Sequence, residues 1–400
     1  MSTRGWLPVR DQDFSLDNLP FGVVRPPLGP RRVVTRIGDY VLDLAAAGIE
    51  PQLTAQPTLN ALLLSGRGGD VRARAADVLT GRERLDLVHA LDDVDVLMPF
   101  DVRDYVDFYS SLHHATNMGR ILRPESEPLL PNWRQLPVGY HGRSGTVVVT
   151  GTDVARPEGL VAGADGVPRL VPTDALDFEL EVGFVVGGPP ATRISPDDAH
   201  HHVFGAVLCN DWSARDVQSF EYQPLVPNLA KSFATTISAW VVTFDALRPY
   251  LVAPPCQEPA PDPYLRATRP WAIDLHLEVD LNGTTITATN FATMYWTFAQ
   301  QLAHITVNGA TTRGGDLFAS GTVSGPTAGE LGSLMEATWQ GTRPLELADG
   351  TTRAFLADGD TVTLRGWCGG DEPGRPRIGF GDATGTVVAA PARRRHAEEA

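Results

Sequence analysis

Three acidic residues alternate with apolar residues in the segment DFELE, which covers residues 177–181 and is followed by the apolar run VGFVVGG. If this segment is a β-strand, then Asp177, Glu179 and Glu181 share one face, because successive side chains of a strand point to opposite sides. Carboxylates on one face repel each other, and burial makes the repulsion more costly. Two interpretations are open: the face is exposed to solvent, or the acids bind a hard divalent cation.

Two further acids lie in segments that could reach the same cation. Asp211 follows the apolar segment VFGAVLCN and precedes a predicted helix, and Asp107 lies close to Tyr109 and His114 in the segment DYVDFYSSLHHATN. Oxygen ligands from separate strands and loops are typical of Ca²⁺ or Mg²⁺ sites rather than Zn²⁺ sites. Spacing along the chain does not establish that these acids meet in space.

The adjacent histidines His113 and His114 include a candidate general base. Neighbouring side chains point in different directions on a helix or a strand, so we expect only one of the two to take part in chemistry. Such a base needs an acid at its second ring nitrogen to orient it. The alternative is a structural histidine, and the many acids of the sequence do not identify a partner.

Lys231 is the only lysine of the chain and lies in the segment LAKSFATT. Its small neighbours would allow the ammonium group to approach a ligand oxygen. The alternative is an ordinary surface lysine.

The composition argues against several classes of partner. The net charge of −15 carries no basic footprint, so we predict no nucleic-acid partner. No apolar run approaches the ~18 residues of a membrane span, and the first residues lack the apolar region of a secretory signal. Cys209, Cys256 and Cys368 are far apart and fit neither a disulfide framework nor a metal-ligand spacing. We therefore expect a cytoplasmic protein with no membrane partner.

The elements that would position the candidate residues are mainly strands. The 39 glycines and 32 prolines favour short strands joined by turns. Residues 1–95 are predicted to form a small β-domain, and the segment RARAADVLTGRERLDLVHAL has the spacing of a helix that bridges to the next unit. Residues 96–392 predict a mixed β-roll or β-barrel with some helix and a hairpin turn at Asn282-Gly283, and residues 393–400 predict a charged tail.

Nine segments follow one another in a characteristic order: DFYSSLHHATNMG, LPVGYHGR, DFELEVGFVVG, NDWSARDVQSFEYQPL, AKSFATTISAWVV, TMYWTFAQQLAHITVNG, FASGTVSGP, DGDTVTLRGWC and RIGFG. With the opening FSLDNLPFGVV, they resemble the full-length, two-domain type of the fumarylacetoacetate hydrolase family over nearly the whole chain. The resemblance implies a mainly β chain, with a small SH3-like N-terminal barrel before a mixed β-roll, assembled as a homodimer. It also implies hydrolysis of the diketo acid 4-fumarylacetoacetate to fumarate and acetoacetate, the last step of tyrosine and phenylalanine degradation, with Ca²⁺, Mg²⁺ or both.

The resemblance also implies roles for particular residues. The catalytic base would be His114, oriented by Glu336. The cation ligands would be Asp107, Glu179, Glu181 and Asp211. The group that stabilises the developing oxyanion would be Arg215, Gln218 and Lys231. The substrate contacts would be Tyr109, Arg123, Tyr140, Gln218, Tyr222 and Thr322. A second, Mg²⁺-holding set would be Asp211, Trp212, Lys231 and Thr235. Asp177 would be structural or would support the ligands.

The chain departs from the family pattern at Ala230 and Ala234, where the family usually has glycine. A positive φ at Ala234 would be costly, which puts the second cation set in doubt. The alternatives to the implied reaction are another diketo-acid hydrolase, a decarboxylase or an isomerase of the same broad family, or a non-catalytic binding protein on the same scaffold. The N-terminal segment of about 95 residues and the HATN segment favour the full-length hydrolase type.

Overall fold

The computed structural model describes residues 5–163, 165–370 and 374–392, so the predicted tail at 393–400 lies outside the described residues. Residues 5–100 contain one antiparallel sheet of short strands and three α-helices. Its strands are β1 Phe21–Arg25, β2 Arg32–Ile37, β3 Tyr40–Asp43, β4 Val88–Ala90 and β5 Asp95–Leu97. The helices are α1 Pro51–Thr54, α2 Asn60–Ser65 and α3 Gly68–Thr80. The strand order in the sheet is β4-β3-β2-β1-β5.

The rest of the described chain is richer in strand than in helix. Its strands are β6 Tyr105–Phe108, β7 Gly139–His141, β8 Val147–Val149, β9 Val154–Ala155, β10 Glu158–Ala162, β11 Pro168–Pro172, β12 Leu176–Asp177, β13 Leu180–Val186, β14 Val203–Asp211, β15 Ser213–Ala214, β16 Thr235–Ile237, β17 Val242–Thr243, β18 Leu251–Val252, β19 Ala272–Ile273, β20 His276–Leu281, β21 Thr284–Asn290, β22 Leu317–Ala319, β23 Leu345–Glu346, β24 Thr352–Arg353, β25 Thr361–Cys368, β26 Ile378–Gly379 and β27 Ala383–Val388. Its helices are α4 Leu112–Leu122, α5 Arg215–Glu221, α6 Phe244–Leu247, α7 Phe298–Thr306 and α8 Leu334–Ala337.

Two larger sheets organise this second part. The first has the strand order β7-β6-β22-β13-β14-β16-β8, with β17 added beside β14, and it mixes antiparallel with parallel pairs such as β6–β22. The second has the order β21-β20-β25-β27-β9, with β26 added beside β25. The strands β13 and β14 are buried along their whole length, which is why their sequences are almost continuously apolar. The prediction of a mainly β chain, in which a small N-terminal β-unit precedes a mixed β-roll, is confirmed.

One local prediction is right and two are wrong. The hairpin turn at Asn282-Gly283 joins β20 to β21, and both residues have a positive φ. The predicted bridging helix is wrong beyond Thr80, because α3 ends before Gly81 and the chain returns as β4 to pair with β3. The segment DFELE is not one strand: β12 pairs with β15, β13 pairs with β14, and the chain changes partner between them. The three acids therefore do not lie on one continuous strand face.

A hydrophobic core is shared across the predicted domain boundary. It joins Phe21 and Val23 of the first sheet to Val207, Ile237 and Leu317 of the second part. The two parts also meet through backbone hydrogen bonds between residues 21 and 241, at 3.0 and 2.8 Å. The division into domains at residue 95 stays a prediction. None of the described helices combines the length and the apolar character that crossing a membrane requires.

We predict that Gly22→Ala destabilises the junction between the two parts. A Cβ atom at Gly22 would lie 2.6 Å from the ring of Trp240, which is too close for a real contact. We expect a loss of about 1–3 kcal/mol in the free energy of unfolding, because overpacking a close contact costs that much. The matched control is Gly29→Ala, whose added Cβ would lie 3.6 Å from its nearest neighbour. Equal thermal midpoints for the two variants would contradict the prediction.

Candidate active site

Four buried carboxylates meet near one end of the strands in the eight-stranded sheet. Each of these residues offers one oxygen, and these oxygens all lie within 4.8 Å of one another; the residues are Asp107, Glu179, Glu181 and Asp211. Strand β6 carries Asp107, β13 carries Glu181, and Asp211 is the last residue of β14. Glu179 lies just before β13, where its carbonyl accepts a hydrogen bond from the Asp211 amide. The structure therefore brings together the four residues predicted as cation ligands.

Two buried side-chain cations offset part of this negative charge. The ammonium group of Lys231 lies 2.5 Å from Glu179 Oε2 and 2.8 Å from Asp211 Oδ2. The guanidinium group of Arg215 lies 2.8 Å from Glu179 Oε1. Burial alone would raise the pKa of Glu179, but Lys231 and Arg215 lower this pKa to about 2. Glu179 is therefore ionised, and Lys231 is a buried, ion-paired residue rather than a surface lysine.

The other two carboxylates form no ion pair with a residue of the described chain. Asp107 Oδ1 and Glu181 Oε1 are buried and have no hydrogen-bond partner. Burial raises the pKa of both groups, and the neighbouring carboxylates raise it further. Unpartnered, closely spaced carboxylate oxygens are the donor set that a hard divalent cation requires. The residues present thus fit a metal ion, which Asp107, Glu179, Glu181 and Asp211 would hold.

Asp177, the first acid of DFELE, is not part of this cluster. Its Oδ2 accepts a hydrogen bond of 2.8 Å from Arg215 Nε. Its two oxygens also accept hydrogen bonds from the backbone amides of Leu334 and Met335, at 2.7 and 3.0 Å. These amides belong to the first turn of α8, where an anion is favoured. Asp177 therefore joins Arg215 to α8, which agrees with the structural role expected for it.

His114 and Glu336 form a buried pair beside the carboxylate cluster. Helix α4 begins after Ser111, whose hydroxyl accepts the His114 amide and caps the helix. His114 Nδ1 lies 2.6 Å from Glu336 Oε2, and Glu336 is carried by α8. Burial alone would raise the pKa of Glu336, but His114 and the other donors around the carboxylate lower it. His113, the residue before His114, is half-buried and does not belong to the pair.

Sequence reasoning missed three side chains around Glu336. Asn117 Nδ2 donates to Glu336 Oε1 at 3.0 Å, and the hydroxyls of Ser324 and Ser333 donate to Glu336 Oε2 at 2.9 and 3.0 Å. Ser333 precedes Glu336 by three residues, and a helix-capping pattern of this kind could have pointed to it. Asn117 lies three residues after His114 on one helix face, which is a weaker signal. Nothing in the sequence near Ser324 indicates its contact.

A cavity of about 340 Å³ opens onto His114 and onto two of the carboxylates, Asp107 and Glu179. All of the predicted substrate-contacting residues line it: Tyr109, Arg123, Tyr140, Gln218, Tyr222 and Thr322. His114, Arg215 and Lys231 line it as well. Three donors here are buried and have no partner: Arg123 Nε, one terminal nitrogen of Arg215, and Thr322 Oγ1. The cavity therefore offers unpaired donors beside a basic nitrogen, as the binding of an anionic, oxygen-rich molecule requires.

The residues of the predicted second cation set are also close together. Thr235 Oγ1 donates to Asp211 Oδ1 at 3.1 Å, and Lys231 donates to the other oxygen of Asp211. The indole of Trp212 donates to Thr236 rather than to this group. Ala230 and Ala234 are buried and do not have a positive φ, so the feared backbone strain is absent at both positions. The second cation set itself stays a prediction.

The chain matches two family models that together cover most of its length. Residues 104–388 match the model described as Fumarylacetoacetate (FAA) hydrolase C-terminal, and residues 17–99 match Fumarylacetoacetase N-terminal. The chain is 44% identical to the fumarylacetoacetase of Caenorhabditis elegans, over 95% of this chain and 98% of the relative. It is 43% identical to the fumarylacetoacetase of Homo sapiens, over 96% of this chain and 99% of the relative.

Solved structures share the fold at lower sequence identity. A fumarylacetoacetate hydrolase from Exiguobacterium antarcticum has a TM-score of 0.56 and 18% identity, with 93% of this chain and 99% of that chain covered. A 5-carboxymethyl-2-hydroxymuconate delta-isomerase from Mycobacterium smegmatis has a TM-score of 0.53 and 16% identity, with 93% and 100% covered. The fold is therefore common to proteins named for different reactions, and it does not by itself decide the reaction.

We predict that Asp107→Asn abolishes cation binding without destabilising the metal-free protein. The substitution removes one buried, uncompensated charge, so the metal-free variant should melt at or above the wild-type temperature. Ca²⁺ or Mg²⁺ at 100-fold excess over its dissociation constant should stabilise the wild type by about 2.7 kcal/mol. Thermal unfolding of chelator-treated protein, with and without cation, measures both effects. The exposed neighbour Asp104→Asn is the control, and equal cation stabilisation of wild type and Asp107→Asn would contradict the prediction.

Proposed function

Because the chain belongs to the fumarylacetoacetate hydrolase family, we propose that it hydrolyses the carbon–carbon bond of 4-fumarylacetoacetate to give fumarate and acetoacetate. The relatives named fumarylacetoacetase match it over nearly their full length. The observation that carries the proposal is the His114–Glu336 pair, which faces a cavity with unpaired donors beside four carboxylates. A place in tyrosine and phenylalanine degradation follows from this reaction.

His114 is the general base for water in this reaction. Glu336 accepts a hydrogen bond from His114 Nδ1. The other ring nitrogen of His114, Nε2, is therefore left to take a proton from water in the cavity. The activated water then attacks the fumaryl carbonyl carbon. When the carbon–carbon bond breaks, the acetoacetate fragment leaves with the electron pair, and the protonated imidazole holds the proton that this carbon requires.

Donors at the cavity wall stabilise the oxyanion that forms when water attacks. Arg215 has one terminal nitrogen without a partner, and its other terminal nitrogen donates to the side-chain oxygen Oε1 of Gln218 at 3.1 Å. Lys231 supplies a second positive charge next to the carboxylates. A preorganised donor of this type is worth ~3 kcal/mol in the transition state. A bound divalent cation would additionally withdraw charge from the acetoacetate oxygens.

Arg123 is the residue best suited to a substrate carboxylate. It follows the last residue of α4, one of its terminal nitrogens donates to the Pro128 carbonyl, and its Nε is buried without a partner. A guanidinium fork matches carboxylate geometry. Tyr109, Tyr140, Tyr222 and Thr322 supply further hydroxyls around the same cavity. This donor set suits a diketo acid with carboxylates at its ends.

Three finer assignments belong to the same proposal. The resident cation is Ca²⁺ or Mg²⁺, because the ligands are all carboxylates. The protein acts in the cytoplasm as a homodimer, as the resemblance implies. The rival reading is a decarboxylase or isomerase of the same fold, and product analysis distinguishes the two: fumarate with acetoacetate supports the hydrolase, whereas carbon dioxide or an isomer supports the rival.

We predict that His114→Ala lowers kcat by about 10²–10⁴-fold, the usual contribution of a general base, with little change in substrate binding. His113→Ala is the matched control, because His113 is the adjacent residue and does not contact Glu336. Loss of absorbance of fumarylacetoacetate measures both variants. A larger loss in His113→Ala than in His114→Ala would overturn the assignment.

We predict that a chelator removes the activity and that added Ca²⁺ or Mg²⁺ restores it. Asp107 and Glu181 have unpartnered oxygens that a cation would satisfy. Elemental analysis of the treated protein confirms that the metal has been removed. Full turnover by protein that has been shown to be metal-free would contradict the metal role.

A further inference from the structure

The carboxylate of Glu336 accepts four side-chain hydrogen bonds in the interior of the protein. Oε2 accepts from His114 Nδ1 at 2.6 Å and from the hydroxyls of Ser324 and Ser333 at 2.9 and 3.0 Å. Oε1 accepts from Asn117 at 3.0 Å. Ser324 and Ser333 are fully buried, and His114 and Glu336 are nearly so. The general base is thus only one of four donors to the same group.

The directions of the two serine hydroxyls are determined by the backbone. Ser324 Oγ accepts the amide of Gly332 at 2.9 Å, and Ser333 Oγ accepts the amide of Glu336 at 3.3 Å. Because a hydroxyl has a single proton, each serine directs that proton at Glu336 Oε2. Neither serine contacts the cavity, so neither can touch the substrate directly.

The arrangement leaves Glu336 Oε2 no way to act as a donor. A proton on Oε2 would face three donors and no acceptor, and a buried group in that position is costly. The carboxylate therefore stays ionised and accepts at His114 Nδ1. The additional donors also reduce the basicity of Oε2, so a proton taken up by His114 stays on the imidazole instead of moving to Glu336.

We propose that Ser324 and Ser333 are positioning residues for the base: their fixed hydroxyls hold Glu336 as a pure acceptor, which sets the tautomer and orientation of His114. The proposal rests on the proposed function for its kinetic consequence, but its structural consequence does not need the substrate. Loss of either hydroxyl removes a hydrogen bond to the carboxylate that orients the base, so each serine is relevant to turnover.

The test compares Ser333→Ala, Ser333→Thr and Ser324→Ala in the full-length, metal-loaded enzyme. We expect both alanine variants to lower kcat by about tenfold or more, with KM changed by less than about twofold, because the substrate contacts are intact. Ser333→Thr keeps both the hydroxyl and the helix cap, so it should restore kcat. The second measurement is the low-field proton NMR resonance of His114 Nδ1–H, assigned by its absence in His114→Ala. We expect it to move in both alanine variants and to return in Ser333→Thr.

The control for the loss of a helix cap is Thr243→Ala. Thr243 caps α6, which like α8 has four residues, and Thr243 is buried away from the cavity. This variant should lose stability as Ser333→Ala does, without any change in kcat or in the resonance. The proposal is overturned if both serine-to-alanine variants keep the wild-type resonance and a kcat equal to that of Thr243→Ala. If the wild type does not turn over fumarylacetoacetate, the proposed function fails, while the resonance still decides the role of the serines.

Discussion

The negative charge buried near one end of the strands in the eight-stranded sheet is the constraint on which the rest of the structure depends. Four carboxylates converge there. The buried, apolar strands around them exclude the water that would screen the repulsion between the charges. Lys231 and Arg215 neutralise the part of the cluster that includes Glu179. The oxygens of Asp107 and Glu181 keep their unmet demand for a positive charge. The fold thus maintains a strained arrangement that is useful because a cation can relieve it.

The carboxylate cluster and the His114–Glu336 pair are physically connected through Asp177. Arg215 bonds to both Glu179 and Asp177, and Asp177 in turn accepts the first amides of α8. Helix α8 carries Glu336, which holds His114. A change in the position of the carboxylates can therefore shift His114 through a short series of buried contacts. Substitutions in the two groups should consequently be non-additive, as is usual for residues that belong to one hydrogen-bond network.

The sequence predicted which acids and which histidine would lie together better than it predicted the connections between them. Period-two alternation suggested one shared face for DFELE, whereas the chain changes sheet partner inside that segment and sends Asp177 to a different task. Recognition of nine ordered segments placed Asp107, Glu336 and the cavity residues that no local pattern could bring together. The contacts of Asn117 and Ser324 were missed, because each depends on a side chain brought near only by tertiary folding. The prediction of a helix beyond Thr80 is wrong. The residues there keep the spacing of a helix, but they form β4, which pairs with β3.

The core shared between the first sheet and the second part limits how this protein can be recombined. Phe21 and Val23 pack into the same cluster as Val207 and Leu317, and a Cβ atom at residue 22 would lie 2.6 Å from the ring of Trp240. The surface that the first hundred residues cover is thus interior rather than an ordinary protein exterior. A chimera that exchanges the N-terminal segment between relatives would need a matched counterpart for Trp240 and its neighbours. The two parts of the chain are therefore expected to be inherited together and to change in a correlated way.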